Sequence, residues 1–300
     1  MHIAILSTKA RLYSTRRIVD AAQRRGHRVR VLDHTRCSAV VGGAGPAIWH
    51  GEEKVEKVDA VIPRIGSSVT AHGASIVRQF EVMGVFTAVR ALAIRRARDK
   101  LRALQILSRK QIPIPRTAFA RRPAEVDALV RAVGGPPVVI KVVEGTQGVG
   151  VVLAETLPAA RAVCEAFNHV DLSFIVQAFV AEAQGHDLRA FVVDGRVVAA
   201  MERTAAEGEF RANLHRGGSS APAALTRDEE NWSLRAARVL GLSVCGVDLL
   251  RTKNGPLVLE VNASPGLQGI EETTGVDVAG SIVEMVDRKL SRVRRAMQIA

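Results

Sequence analysis

The chain begins with a short apolar run, His2 to Leu6, followed by apolar positions at helical spacing from Ser14 to Arg25, a glycine at 26, and a second apolar run from Val29 to Leu32. That pattern predicts strand, helix, strand. Asp59 to Pro63 repeats the strand signal and Ala71 to Met83 the helical one, so residues 1 to about 95 read as an open α/β unit. No Gly-x-Gly-x-x-Gly follows the first strand, which excludes the dinucleotide fingerprint. A single cationic helix is predicted over Arg95 to Lys110, with a stripe at Leu101, Leu104 and Leu107, stopped ahead of Pro113 and Pro115. The middle then reads as α+β: strands at Arg116 to Ala120, Val138 to Val143, Val151 to Leu153 and Phe174 to Val180, with helices between. Two alternating strands follow, Leu188 to Val193 and Val197 to Met201, joined at Asp194-Gly195. Beyond them come a polar segment, Thr204 to Ala221, a helix, an apolar hairpin from Val244 to Val261 and a basic final helix. A segment this long and polar reads as a lid. The predicted domains are 1–96, an N-terminal α/β unit, 97–187, a central subdomain, and 188–300, a C-terminal subdomain.

Composition narrows the function. Three hundred residues with 47% hydrophobic content suit about two globular domains. Eleven aromatic residues are too few for a single-strand binder built on stacking, so sequence-specific nucleic-acid binding is not expected. Cys37, Cys164 and Cys245 are odd in number and widely spaced, fitting neither a disulfide framework nor a zinc site. No apolar stretch approaches the ~20 residues needed to span a bilayer, and the opening run is too short for a secretory signal. A cytoplasmic protein without a membrane partner is expected. The net charge of +12 is uneven: the first 120 residues carry 22 basic against 8 acidic side chains, the rest 20 against 22. Arg90, Arg95, Arg96, Arg98 and Arg102 crowd one stretch, which favours an acidic partner at the N-terminal lobe.

Two patterns carry chemistry. Glu144 to Gly150 holds three glycines between two strands, a loop whose backbone N–H groups can close on phosphate oxygens. Lys141 lies on the strand entering it, where an ammonium needs an anion. The second pattern is the hairpin carrying Asp248, Glu260 and Asn262. A two-residue Asn254-Gly255 turn would send the two acids to opposite faces, whereas a three-residue loop, Lys253 to Gly255, pairs Asp248 with Glu260. The second register is expected. Facing carboxylates in apolar strands make sense around a divalent cation, and Asn262 adds an oxygen on the same face, a set suited to Mg²⁺.

Glycine loop, strand lysine and carboxylate hairpin, in this order, resemble the ATP-grasp ligases. Pro63-Arg64-Ile65-Gly66, Ala97-Arg98-Asp99-Lys100, Asn213 to Gly218 and Glu260 to Gly266 are similar to the RimK-like branch of that family. The resemblance implies an α/β and α+β chain with the ATP-grasp fold and an N-terminal pre-ATP-grasp domain. It implies an ATP-dependent ligase that adds glutamate to the acidic C-terminal tail of a small-subunit ribosomal protein through an acyl phosphate. ATP would be bound by Lys100, Lys141, Gly145, Gly148, Gly150, Ala178, Phe179, Asp187, Arg211, Ala212 and Asn213, with Asp187 on the ribose hydroxyls. Asp248, Glu260 and Asn262 would hold Mg²⁺, with Mn²⁺ as an alternative, and Arg203 and Arg211 would act on the reacting phosphate and carboxylate. Free glutamate is the implied second substrate and a tetramer the implied assembly. One position departs from the pattern: Ala178 stands after Gln177 where relatives carry a glutamate, which removes a side-chain contact to adenine and leaves backbone groups at 178 and 180. The alternatives are a sibling ligase acting on a carrier protein or coenzyme, and a basic ribosome-binding factor with a degenerate nucleotide site.

Overall fold

A computed structural model of the chain describes residues 1–43, 45–120, 125–143, 150–212, 214 and 217–299. Strand β1 (His2–Leu6), helix α1 (Tyr13–Arg24) and strand β2 (Arg28–Leu32) open the chain. A small antiparallel sheet follows, made of β3 (Cys37–Val40), β4 (Ala47–His50) and β5 (Glu53–Lys54), which the hydrophobic pattern does not predict. Its strands are too short to carry a period. The first domain ends with β6 (Ala60–Pro63), α2 (Thr70–Val82) and β7 (Phe86–Thr87), giving a parallel sheet of order β2-β1-β6-β7.

The single helix expected from Arg95 to Lys110 is two helices, α3 (Ala91–Arg98) and α4 (Lys100–Arg109). Asp99 separates them. Its backbone is extended and its carboxylate accepts from the Arg102 N–H at 2.9 Å, capping α4. Leucine spacing alone cannot register that break, because the apolar stripe continues across it.

The central subdomain contains β8 (Thr117–Phe119), α5 (Val126–Val133), β9 (Val138–Val142), β10 (Val151–Ala154), α6 (Leu157–His169) and β11 (Phe174–Ala178), in a sheet of order β10-β9-β11-β8. It has its own core, with Val130, Ile140, Cys164 and Phe174 among its members. The third sheet contains β12 (His186–Val193), β13 (Arg196–Thr204), β14 (Ser219–Pro222), β15 (Val244–Leu250) and β16 (Leu257–Asn262), in the order β14-β13-β12-β15-β16. Helices α7 (Arg227–Leu240), α8 (Gln268–Thr274) and α9 (Val278–Ile299) complete it. Thr226 and Glu229 form a reciprocal capping box at the start of α7. This third unit shares one continuous apolar core with the N-terminal sheet, running from Ile3, Ile18 and Phe80 to Phe191, Leu240 and Val283. Helix α9 packs against α1. The two ends of the chain therefore share one core, and the central sheet has its own.

All three cysteines are buried and free, and burial pushes the Cys37 and Cys164 thiols up to about 11. They pack as small apolar groups. Among the described residues, no helix is long and apolar enough to cross a membrane.

Candidate functional site

Strands β15 and β16 pair Asp248 directly with Glu260 and Gly246 with Asn262, so both acids and the amide share one face. The expected pairing is present, but not through a three-residue loop. Leu249 pairs with Val258 and Leu250 with Leu257, and a β-bulge after Asp248 shifts the register by one residue to bring Glu260 opposite. Without that extra residue, Asp248 would face Leu259.

The same face continues across the sheet as a row of charges. Asp248 pairs with Arg189 on β12, and Asp187 pairs with Arg203 on β13. Arg189 donates to both Asp248 oxygens at 2.7 and 2.6 Å, and Arg203 to both Asp187 oxygens at 2.6 Å. Arg203 also lies 3.1 Å from Asp248. Arg203, Asp248 and Asp187 are only 3%, 4% and 8% exposed. Burial alone would raise the Asp248 carboxyl, but the Arg189 and Arg203 guanidiniums override it and hold it down to about 2. Burial dominates at Asp187, which is raised to about 6 despite Arg203. Arg203 is held firmly charged, its burial outweighed by Asp248 and Asp187. Arg189 carries no motif in the sequence. The signal available for it was its position two residues after Asp187, on the same strand face.

Lys141 faces this row from β9. Its ammonium donates to Gln177 Oε1 at 2.6 Å, and Gln177 Nε2 donates to Thr117 Oγ1 at 2.8 Å. A neutral amide does not neutralise an ammonium. Burial pushes Lys141 down to about 8, with Glu260 opposing that shift and Lys100 adding to it. Lys100, at the start of α4, reaches Val143 O at 3.3 Å. The two lysines line a narrow cleft with Glu260, Gln177 and Leu104. The Glu260 side chain makes no hydrogen bond or ion pair among the described residues.

Over the cleft, the segment between the paired residues Thr204 and Ser219 carries Arg211 and Ala212. Arg211 binds Glu209 through Nε and Nη2 at 2.9 and 2.6 Å and donates from Nη1 to Val151 O on β10 at 3.1 Å, so this segment reaches the rim of the glycine hairpin. The bond to Arg211 holds Glu209 down to about 2. Phe210 meets Phe179 edge to face at 6.4 Å, and Ala212 is buried. The Ala178 N–H donates to Arg116 O at 2.8 Å, so position 178 has no N–H left for a base. Gly150 closes the glycine hairpin at φ +70°, and a Cβ there would come within 2.6 Å of Val142. Gly145, Gly148 and Asn213 lie outside the described residues.

The residue types, two carboxylates and one amide on one face, suit a hard divalent cation, although both Asp248 oxygens here accept from Arg189 and one also from the Asn262 amide at 3.4 Å, contacts that a bound cation would compete with. Among the described residues, no group of three His, Cys, Asp or Glu side chains could hold a metal by itself. The set therefore depends on Asn262 and a bound substrate to complete it.

Comparison with known proteins agrees with this geometry. Residues 97–286 match the RimK-like ATP-grasp domain and residues 1–94 the RimK PreATP-grasp domain. A probable alpha-L-glutamate ligase of Thioalkalivibrio sulfidiphilus is 56% identical over 288 residues, 96% of each chain. A crystal structure of a RimK domain ATP-grasp protein from Sphaerobacter thermophilus superposes with a TM-score of 0.75 at 23% identity, covering 95% of this chain and 99% of that one. The ATP-grasp ligase PsnB, complexed with minimal precursor, Mg and ADP, superposes with a TM-score of 0.74 at 19% identity, covering 97% and 98%.

Proposed function

We propose, from the premise that this chain belongs to the RimK-like ATP-grasp family and is an ATP-dependent ligase, that it adds glutamate to the C-terminal carboxylate of an acidic protein tail, that of a small-subunit ribosomal protein, by way of an acyl phosphate. The observation that carries this reading is the placement of Lys141 and Lys100 across one cleft from Glu260, with Asp248 paired to it. Cations for phosphate and oxygens for a metal converge there.

In this reading, Lys141 and Lys100 bind the triphosphate oxygens, and Arg211 holds the covering segment against the glycine hairpin. Asp248, Glu260 and Asn262 hold Mg²⁺, which when bound supplies charge neutralisation on phosphate oxygens. An acceptor carboxylate oxygen attacks the γ-phosphorus, the bond to the β-phosphate oxygen breaks, and ADP leaves. The amine nitrogen of glutamate then attacks the acyl carbon, inorganic phosphate departs, and the nitrogen loses a proton. The protein's share is positioning and preorganised charge. The N-terminal excess of arginine suits an acidic tail, and Arg90, Arg95 and Arg102 are exposed on that side. Arg96 and Arg98 turn partly inward and are set apart from that surface.

An acceptor labelled with ¹⁸O in its terminal carboxylate tests the route. One labelled oxygen in the released phosphate, with ADP as the nucleotide product, is expected. Release of AMP, or unlabelled phosphate, contradicts it.

Two further outcomes follow from the covering segment and the hinge. Shortening the segment between Thr204 and Ser219 should raise ATP hydrolysis uncoupled from ligation, because water gains access to the acyl phosphate. The ratio of phosphate released to product formed measures this. Ala178 offers no side-chain acceptor to an adenine amino group, so ATP and GTP should bind comparably. Ala178→Glu should tighten ATP by about fivefold, the worth of one hydrogen bond. Strict ATP selectivity in the unaltered protein would refute the hinge argument.

A further inference from the structure

Several buried or half-buried arginines in this protein meet carboxylates: Arg17 meets Glu271, Arg189 and Arg203 meet Asp248, and Arg288 meets Asp194. Arg64 and Arg98 do not. Among the described residues neither forms an ion pair. Arg64 donates to Pro265 O at 2.6 Å, Arg98 donates to Ile65 O at 2.6 Å, and the Arg98 Nε is buried with no hydrogen-bond partner. Burial lowers both guanidiniums, Arg64 to about 10, and Arg98 adds to the effect at Arg64. The one anion that opposes this at Arg98 is Glu260. Two desolvated cations side by side, each anchored only by a carbonyl, are costly to maintain without an anion between them.

Their place in the fold points to a ligand. Arg64 directly follows β6. Strand β1 has β2 on one side and β6 on the other, so the chain reverses direction of progression at the β1/β6 boundary. In open parallel sheets that crevice, beyond the carboxyl ends of the strands, is where ligands bind. The segment after Asn262 packs onto the same crevice: Pro265 accepts from Arg64, and the Leu267 N–H donates to Ser14 Oγ at 3.0 Å. Within it, Ser264 Oγ is buried and has no hydrogen-bond partner. Glu260 thus has Lys141 and Lys100 on the side of the central sheet and, on the side of the N-terminal sheet, Arg98, which in turn neighbours Arg64. The lysine side suits the triphosphate. The arginine side is left for a second anion.

We propose that Arg64, Arg98 and Ser264 form a subsite for the carboxylate of the small amine substrate, the free amino acid that attacks the activated acceptor. Planar guanidiniums match a carboxylate in two-point contact. The buried atoms favour a small molecule over a polypeptide segment. The inference rests on the ligase reading, and its test includes a measurement independent of turnover.

Arg64→Met should raise KM for L-glutamate about 10- to 100-fold, the worth of charged hydrogen bonds, with KM for ATP and for the acceptor unchanged. Trapping of the acyl phosphate by hydroxylamine, in the absence of amino acid, should proceed at the unaltered rate. The melting temperature should not fall, since an unpaired buried charge has been removed. Arg64→Lys and Arg98→Lys keep the charge but lose the fork, and should give intermediate KM values. Calorimetric titration of L-glutamate into the nucleotide-free protein should show binding that Arg64→Met weakens, a readout that stands even if no hydroxamate can be trapped. A change in KM for ATP or acceptor instead, an unchanged KM for glutamate, or a uniform fall in every parameter together with melting temperature overturns the assignment.

Discussion

Glu260→Gln should lower ligation by about 100-fold or more while leaving resistance to urea near that of the unaltered protein; Asp248→Ala should lose both. The two acids are neighbours on paired strands, yet they differ in what else depends on them. The Glu260 side chain makes no hydrogen bond or ion pair among the described residues, so its charge serves the cleft and not the sheet. Asp248 binds both donors of Arg189 and lies 3.1 Å from Arg203. Removing it leaves the buried Arg203 and the half-buried Arg189 short of a counter-charge, a loss of about 3 kcal/mol. Initial rates with Mg²⁺ and urea unfolding midpoints for the two variants measure the contrast. An active Glu260→Gln, or an Asp248→Ala as stable as the unaltered protein, would break it.

Lys141→Met should weaken ATP binding by about 10- to 100-fold and, without nucleotide, stabilise the protein at neutral pH. Both effects have one cause. Burial pushes this lysine from 10.5 down to about 8, so a charged Lys141 is a burden on the empty fold that bound phosphate relieves. The sign of the pH dependence follows. Between about pH 8 and 10.5 the unfolded chain holds a proton on this residue that the folded one has released, so its contribution to stability rises with pH across that window. Lys141→Met should remove that rise, as read from urea midpoints of the metal-free protein at several pH values. ATP affinity should fall above about pH 8, where the ammonium is lost. Calorimetry near pH 8 in buffers of different ionisation enthalpy should show proton uptake on binding.

Much of the fold was legible in the sequence because short apolar runs bounded by Gly, Pro and Asp mark most of the strands, and the Asp194-Gly195 turn is present, with Val193 paired to Arg196. What failed did so for local reasons. The break at Asp99 depends on one cap that the leucine stripe hides, and the β3–β4–β5 sheet is made of strands too short to show alternation. The Asp248–Glu260 pair was expected from the turn, whereas the turn alone would have given the wrong partner and the bulge corrects it. The charge row was not legible as a unit, because Arg189 and Asp248 are 59 residues apart and meet only through the pairing of β12 with β15. The same holds for Arg64, whose anchor at Pro265 lies 201 residues away. Sequence motifs supply residue types, and non-local strand pairing decides which of them meet.

The most direct test of the account is mass spectrometry of a purified acceptor with an acidic C-terminal tail, before and after incubation with the protein, ATP, Mg²⁺ and L-glutamate. Mass increments of one glutamyl residue at the acceptor's C-terminus are expected, with one ADP released per increment. ATP consumption with no change in acceptor mass, or increments accompanied by AMP, would contradict it.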